Sequence, residues 1–316
     1  MWRSRASDAS GHVRGGAASI AAMKTLGVGD MWTRRGFVGA VVTAAAGAAM
    51  PASSAAAEPA GMPRIRLGVA SYSFHKFERA KGIGFLKELN CRLVNCKDVL
   101  DHLPMTPNSA TTAAVEAYRA AGITVTGGGV VYFPTADEAD VRGKFDYARR
   151  AGLGLMVVSP TQDSLPVVER FVKEYGIRVA IHNHGPEDKE WPSPMDVLGV
   201  IARPGAEMDA RVGLCVDVGH CARTGTDVVA AIHAGGARVF DVHMKDLADM
   251  RVKESQVTVG DGKMPVRGIF EALTAIGYQG CVDLEYEIHE DDPLPGMVKS
   301  FAYMRGVLAG MEYAEG

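Results

Sequence analysis

Residues 174–182 read Glu-Tyr-Gly-Ile-Arg-Val-Ala-Ile-His. The glycine marks the end of a helix, because the left-handed residue that commonly closes one costs glycine nothing. The run behind it is short and β-rich, as a buried strand is. The same junction recurs as Ala-Ala-Gly-Ile at 120–123, Arg-Ala-Gly-Leu at 150–153 and Ile-Gly-Tyr-Gln-Gly at 276–280. Working outward from these junctions, one plan repeats: strand, loop, amphipathic helix, Gly-containing turn. Predicted strands cover 65–71, 92–96, 123–126, 155–159, 177–182, 212–217, 239–243 and 282–286. Predicted helices cover 77–90, 109–121, 137–151, 164–175, 195–202, 227–234, 265–276 and 294–308. Strand alternating with helix means parallel strands joined by crossovers. Eight such units predict a closed (β/α)8 TIM barrel, an α/β fold, as a single domain over residues 64–310. A barrel of this kind needs about 250 residues, which leaves room for one domain and not two.

Alternate residues of a strand point to opposite faces. In 177–182 the apolar set Ile177, Val179, Ile181 opposes Arg178, Ala180, His182. In 212–217 Val212, Leu214 and Val216 oppose Gly213, Cys215 and Asp217. In 239–243 Phe240 and Val242 oppose Val239, Asp241 and His243, and in 281–286 Val282, Leu284 and Tyr286 oppose Cys281, Asp283 and Glu285. The all-apolar faces belong against the helices, so the others look into the barrel. His182, Asp217, His243 and Glu285 then all point inward at the C-terminal ends of their strands, the active face of this fold. Two imidazoles and two carboxylates form a mixed N/O set suited to one divalent metal, with Mn, Zn, Co and Fe all compatible. A lone His at a strand end is ordinarily a satisfied polar residue; agreement of four strands in parity and depth favours a metal site. Below that ring the same parity buries Arg178, Asp241 and Asp283, and because an unpaired buried charge is costly they are expected to pair with one another.

Ile-His-Asn-His-Gly-Pro-Glu-Asp (181–188), Cys-Val-Asp-Val-Gly-His (215–220), Asp-Val-His-Met-Lys-Asp (241–246) and Asp-Leu-Glu-Tyr-Glu (283–287) resemble the sugar phosphate isomerase/epimerase family. That family belongs to the xylose isomerase-like TIM barrel superfamily, beside tagatose-type epimerases, inosose dehydratases and endonuclease IV. The resemblance covers residues 64–310 and implies metal ligands at Asp217, His243 and Glu285. The fifth-strand ligand of the epimerases is a Glu, and here it is His182. That departure puts a two-glutamate proton transfer in doubt and brings the His-x-His pattern nearer to the dehydratase-like branch. The resemblance implies metal-dependent isomerisation or epimerisation of a sugar or keto-sugar through an ene-diolate. The alternative is a metal-dependent dehydratase or lyase, and behind it stand a non-catalytic sugar-binding barrel and a repair endonuclease.

Around the four ligands, His184 shares the parity of His182 one step further out, as a base or an alternative ligand. His220, three residues after Asp217 in a loop, matches a position that touches substrate or ligand. Lys245 has the parity of His243 and offers a cation for developing negative charge. Glu285 or a His is the candidate base. Glu287 is placed to orient ligands, or to meet substrate. Lys97, His102 and Tyr72 are candidate substrate contacts, with Phe74 as a pocket wall.

Residues 33–57 resemble a twin-arginine export signal: Arg34 and Arg35, an apolar run to residue 50, then small residues to Ala57. The apolar run is shorter than the roughly 20 residues a spanning helix needs, so a cleaved signal is expected rather than a stable membrane anchor. This signal region, 1–57, is long in its leading part, and Met23 or Met31 are alternative starts. It holds six basic and two acidic residues against a whole-chain formal charge of −3, which leaves −7 on the remainder. An acidic body without a Lys/Arg run gives no footprint for nucleic acid and suits a small sugar-like substrate, while the signal implies a periplasmic or exported setting. Cys91, Cys96, Cys215, Cys221 and Cys281 lack C-x-x-C spacing and read as free buried thiols, although Cys91 and Cys96 are near enough in sequence to meet.

Overall fold

The computed structural model describes residues 65–314; the export signal and its alternative starts lie outside the described residues. The strands are β1 (Arg66–Ala70), β2 (Leu93–Cys96), β3 (Thr124–Phe133), β4 (Leu155–Pro160), β5 (Arg178–His182), β6 (Val212–Asp217), β7 (Val239–Met244), a two-residue pair β8 (Asp246–Leu247) and β9 (Gln256–Val257), and β10 (Cys281–Leu284). Eight of them close a parallel barrel in the order β1-β10-β7-β6-β5-β4-β3-β2, while β8 and β9 pair antiparallel in the loop after β7. The seam is β1 against β10, with Arg66 beside Cys281 and Val69 beside Leu284.

Several helices are bounded by caps that the sequence carries. α3 (Glu138–Arg150) starts where the Asp137 carboxylate accepts the Asp140 N–H. α4 (Leu165–Tyr175) ends at Gly176, φ 69°, the residue from which the sequence reading began. α5 (Pro194–Ile201) opens on a reciprocal capping box between Ser193 and Asp196. α1 (Arg79–Glu88), α2 (Asn108–Ala120), α6 (Val218–Arg223), α7 (Val228–Gly235), α8 (Val266–Ala275) and α9 (Leu294–Ala314) complete the set. Among the described residues no helix is long and apolar enough to cross a membrane. Outward-facing Val179, Ile181, Leu214, Val216, Val242 and Leu284 pack fully buried beneath this layer.

The interior departs from the parity reading in three places. Phe240 does not face the helices. The ladder slips between β6 and β7, where Leu214 lies beside Val239 and Cys215 beside Asp241, and this bulge turns Phe240 inward against Leu155, Val157, Ala180 and Cys215. Its ring lies over Gly213, where any Cβ would collide with it. Arg178 is not part of a buried ion cluster. It is the first residue of β5 and exposed, its guanidinium 5.1 Å from the Phe240 ring centre, at the edge of a cavity of about 300 Å³ in the N-terminal mouth. Inward parity therefore gave its direction but not its depth. Asp241 and Asp283 remain buried without it: Asn95 Nδ2 donates to Asp241 Oδ2 at 2.6 Å, and burial, with Asp241 beside it, pushes the Asp283 carboxyl well above the ordinary carboxylate range. Finally β3 runs to Phe133 instead of stopping at Thr126; Gly127, Gly128 and Gly129, beyond the predicted end, lie within the strand. All five cysteines are free and buried.

Candidate metal centre

β5, β6, β7 and the residue after β10 bring His182, Asp217, His243 and Glu285 together at the C-terminal mouth. All four are buried, and one ligand atom from each lies within 4.8 Å of the others. His182 Nε2 is 3.1 Å from His243 Nδ1, His243 Nδ1 is 3.1 Å from Glu285 Oε2, and His182 Nε2 is 3.7 Å from Asp217 Oδ2. Two nitrogens each about 2.0–2.1 Å from one cation stand about 2.8–3.4 Å apart when adjacent in octahedral or tetrahedral geometry, so the imidazole spacing suits a shared ion. Burial holds His182 well below the usual histidine range, in the neutral form a ligand needs. Burial alone would raise Glu285, but the Lys245 ammonium, followed by His243, outweighs it and keeps the carboxylate well below its ordinary range.

The surrounding chain fixes these side chains. Asp217 is the N-cap of α6: its Oδ1 accepts the His220 N–H at 2.7 Å, which leaves Oδ2 facing the cluster. Asn183 clasps the Asp217 backbone, accepting its N–H at 3.0 Å and donating to its carbonyl at 3.1 Å. Gln256 does the same for the segment after β10, donating to the Glu285 carbonyl at 2.7 Å and accepting the Glu287 N–H at 3.2 Å. Lys245 is buried with Nζ 2.5 Å from Glu287 Oε2, 2.9 Å from Glu285 Oε2 and 3.0 Å from Asp217 Oδ2. Burial works against its charge, and Asp217, Glu285 and Glu287 more than offset it. Burial alone would lower His243, but Cys215 and Glu285 outweigh it and hold that imidazole well above the usual histidine range, so a cation bound there must displace a proton.

The other candidates divide. His184 faces His182, ring centres 4.5 Å apart, with Nδ1 3.0 Å from Asp188 Oδ2; it falls outside the four-residue ligand group. Burial lowers it. His220 sits in the first turn of α6 and not in a loop, 6.0 Å from the His182 ring, and burial pulls it down to about 4. Lys97 lies over the rings of Tyr72 and Tyr132, at 4.8 and 5.3 Å, while Glu287 reaches the cluster through Lys245. His102 does not reach the cluster: it is 1% exposed, its Nε2 bonds the Phe77 carbonyl at 2.7 Å, and its charged neighbours are Asp101, Arg79 and His75. Phe74 is a core residue against Phe85, not a pocket wall. Asn183, Gln256, Tyr132, Arg223 and Glu187 were missed. The Asn between the two histidines at 182 and 184 was a visible signal, since an amide next to a strand-end ligand is placed to hold the neighbouring strand. Gln256 and Arg223 carry no such mark. The loops on this face also border a groove of about 620 Å³ lined by Thr135, Gln162, Asp163, Lys189 and Glu190.

A closed parallel barrel with a buried His/Asp/His/Glu set at its C-terminal mouth defines a class, and the comparisons agree with it. The model of the xylose isomerase-like TIM barrel family matches residues 83–307, and the chain belongs to that family. Among curated proteins, an inosose dehydratase of Lactiplantibacillus plantarum is 29% identical over 129 residues, covering 36% of this chain and 41% of that protein. The rhizopine catabolism protein MocC of Rhizobium meliloti is 31% identical over 136 residues, covering 36% of this chain and 38% of that protein. The matches thus span about two fifths of the length of these relatives. Among solved structures, the IolI protein with a bound zinc atom superposes with TM-score 0.64 at 14% identity, over 78% of this chain and 99% of that one. The 3-keto-D-glucoside 4-epimerase YcjR of E. coli superposes with TM-score 0.60 at 19% identity, over 77% and 99%. At these identities the two structures establish the shared fold.

Proposed function

We propose that this protein is a divalent-metal-dependent enzyme that removes the proton next to the carbonyl of a keto-sugar or related keto-polyol. The observation that carries the reading is the four-residue set at the mouth of the barrel, whose ligand atoms lie within 4.8 Å of one another. Such an ion polarises a carbonyl and stabilises an ene-diolate. His182, Asp217, His243 and Glu285 would hold it. Glu285, kept ionised by Lys245, and His184, kept neutral by burial, are the two groups beside the cluster able to accept the proton. Lys245 balances the carboxylates and faces the position where negative charge develops. Returning the proton to another position or face gives isomerisation or epimerisation. A second reading, loss of a β-hydroxyl as water, is favoured by His182, which stands where the epimerases of the resembled family carry a second glutamate, and by relatives named inosose dehydratase.

The test is incubation of the metal-loaded protein with a panel of keto-sugars and inososes in D2O. Deuterium uptake at carbon with retained mass of the skeleton is expected for isomerisation or epimerisation, and loss of water for dehydration. Neither uptake nor water loss on any member, with one equivalent of metal bound, would refute the reading.

A further inference from the structure

His220 has an obligate hydrogen-bond donor opposite each ring nitrogen. Arg223 Nη1 lies 3.1 Å from its Nδ1, and Lys245 Nζ lies 3.4 Å from its Nε2. Charged arginine and lysine accept no hydrogen bond. A neutral imidazole has one acceptor nitrogen and an imidazolium has none, so at most one of these contacts is a hydrogen bond. The lysine decides which. Its Nζ donates to Glu287 Oε2 at 2.5 Å and its charge pairs with Glu285 and Asp217 at 2.9 and 3.0 Å, so the 3.4 Å approach to His220 is the longest contact it makes among these groups. The arginine contact is the shorter of the two and is braced. Glu187 pairs with Nη2 of the same guanidinium, and the side chain is 3% exposed. It passes over Gly185, φ 88°, where a Cβ would come within 2.9 Å of Nη1.

We propose that Arg223 is a positioning residue that holds His220 in the tautomer with its proton on Nε2, so that His220 meets the site as a fixed hydrogen-bond donor and not as a base. The Nε2–H edge looks toward the metal set, 3.9 Å from Asp217 Oδ2, where it can bond an oxygen of the substrate. Proton removal then falls to Glu285 or His184. The structural half of this inference stands on the contacts alone; its effect on turnover rests on the proposed function.

The test is histidine-selective ¹⁵N labelling of the zinc-loaded protein and long-range proton–nitrogen correlation, with His220 assigned by comparison with His220→Gln. The wild-type spectrum is expected to show an unprotonated Nδ1 and a protonated Nε2. Arg223→Met should lose that preference and lower kcat by about tenfold or more, as for loss of a well-placed donor, with metal content unchanged. Arg223→Lys, which keeps a donor, should recover part of both. A proton on Nδ1 in the wild type overturns the inference and needs no variant; so does an Arg223→Met protein that keeps the wild-type tautomer. The expected tautomer without turnover on any keto-sugar would count against the proposed function and leave the role of Arg223 standing.

Discussion

Asp217 divides its two carboxylate oxygens between structure and chemistry, one capping α6 and the other facing the metal set. The two roles separate by mutation. Asp217→Asn keeps an oxygen for the cap but loses the ligand charge, so metal content should fall to background while the unfolding temperature changes little. Asp217→Ala should lose the metal and also about 1 kcal/mol of stability from the cap. His243→Ala should lose the metal alone. Elemental analysis beside thermal unfolding checks all three, and retained stoichiometric metal in Asp217→Asn would remove that residue from the ligand set. His182→Glu supplies the ligand that the resembled epimerases carry, so metal should remain bound and any change in product reports on the histidine.

At the scale of the element, the ligand strands were legible because strand geometry repeats every two residues. Four runs, read independently, placed His182, Asp217, His243 and Glu285 on one ring, and the structure brings them together. The same rule failed for Phe240, because the slip between β6 and β7 inserts a residue that no local pattern announces. It failed for the depth of Arg178, because parity gives a direction and not a distance from the barrel mouth. Three successive glycines concealed the second half of β3 and with it Tyr132. Arg223 and Glu187 meet His220 only through the shapes of two loops, and loop shape has no period to read. These corrections change one expectation sharply. Arg178→Met, which would cost several kcal/mol had it broken a buried ion pair, should cost no more than about 1 kcal/mol, the scale of an exposed cation–π contact. Chemical denaturation checks it, and a loss of about 3 kcal/mol or more would restore the buried pairing.

At the scale of the molecule, the proposed chemistry must be joined to an address. Export is proposed on Arg34, Arg35 and the apolar and small-residue stretch behind them. Replacing both arginines by lysine should leave the precursor in the cytoplasm, as fractionation and size of the accumulated chain would show; unchanged export would end the proposal. A route of that type carries proteins already folded, which suits a barrel whose ligands are drawn from four strands and which can take up its ion before crossing.

The seam adds a constraint in time. β1 lies at the front of the barrel sequence and β10 near its back, with Arg66 and Cys281 as ladder neighbours. A ribosome therefore releases nearly the whole barrel before its first strand meets its last partner. Until then β1 presents one unpaired edge, which can recruit a strand from another chain. Contacts between residues this distant in sequence also form slowly, so the interval in which the nascent chain needs shielding is set by closure of the ring and not by formation of any one helix or strand.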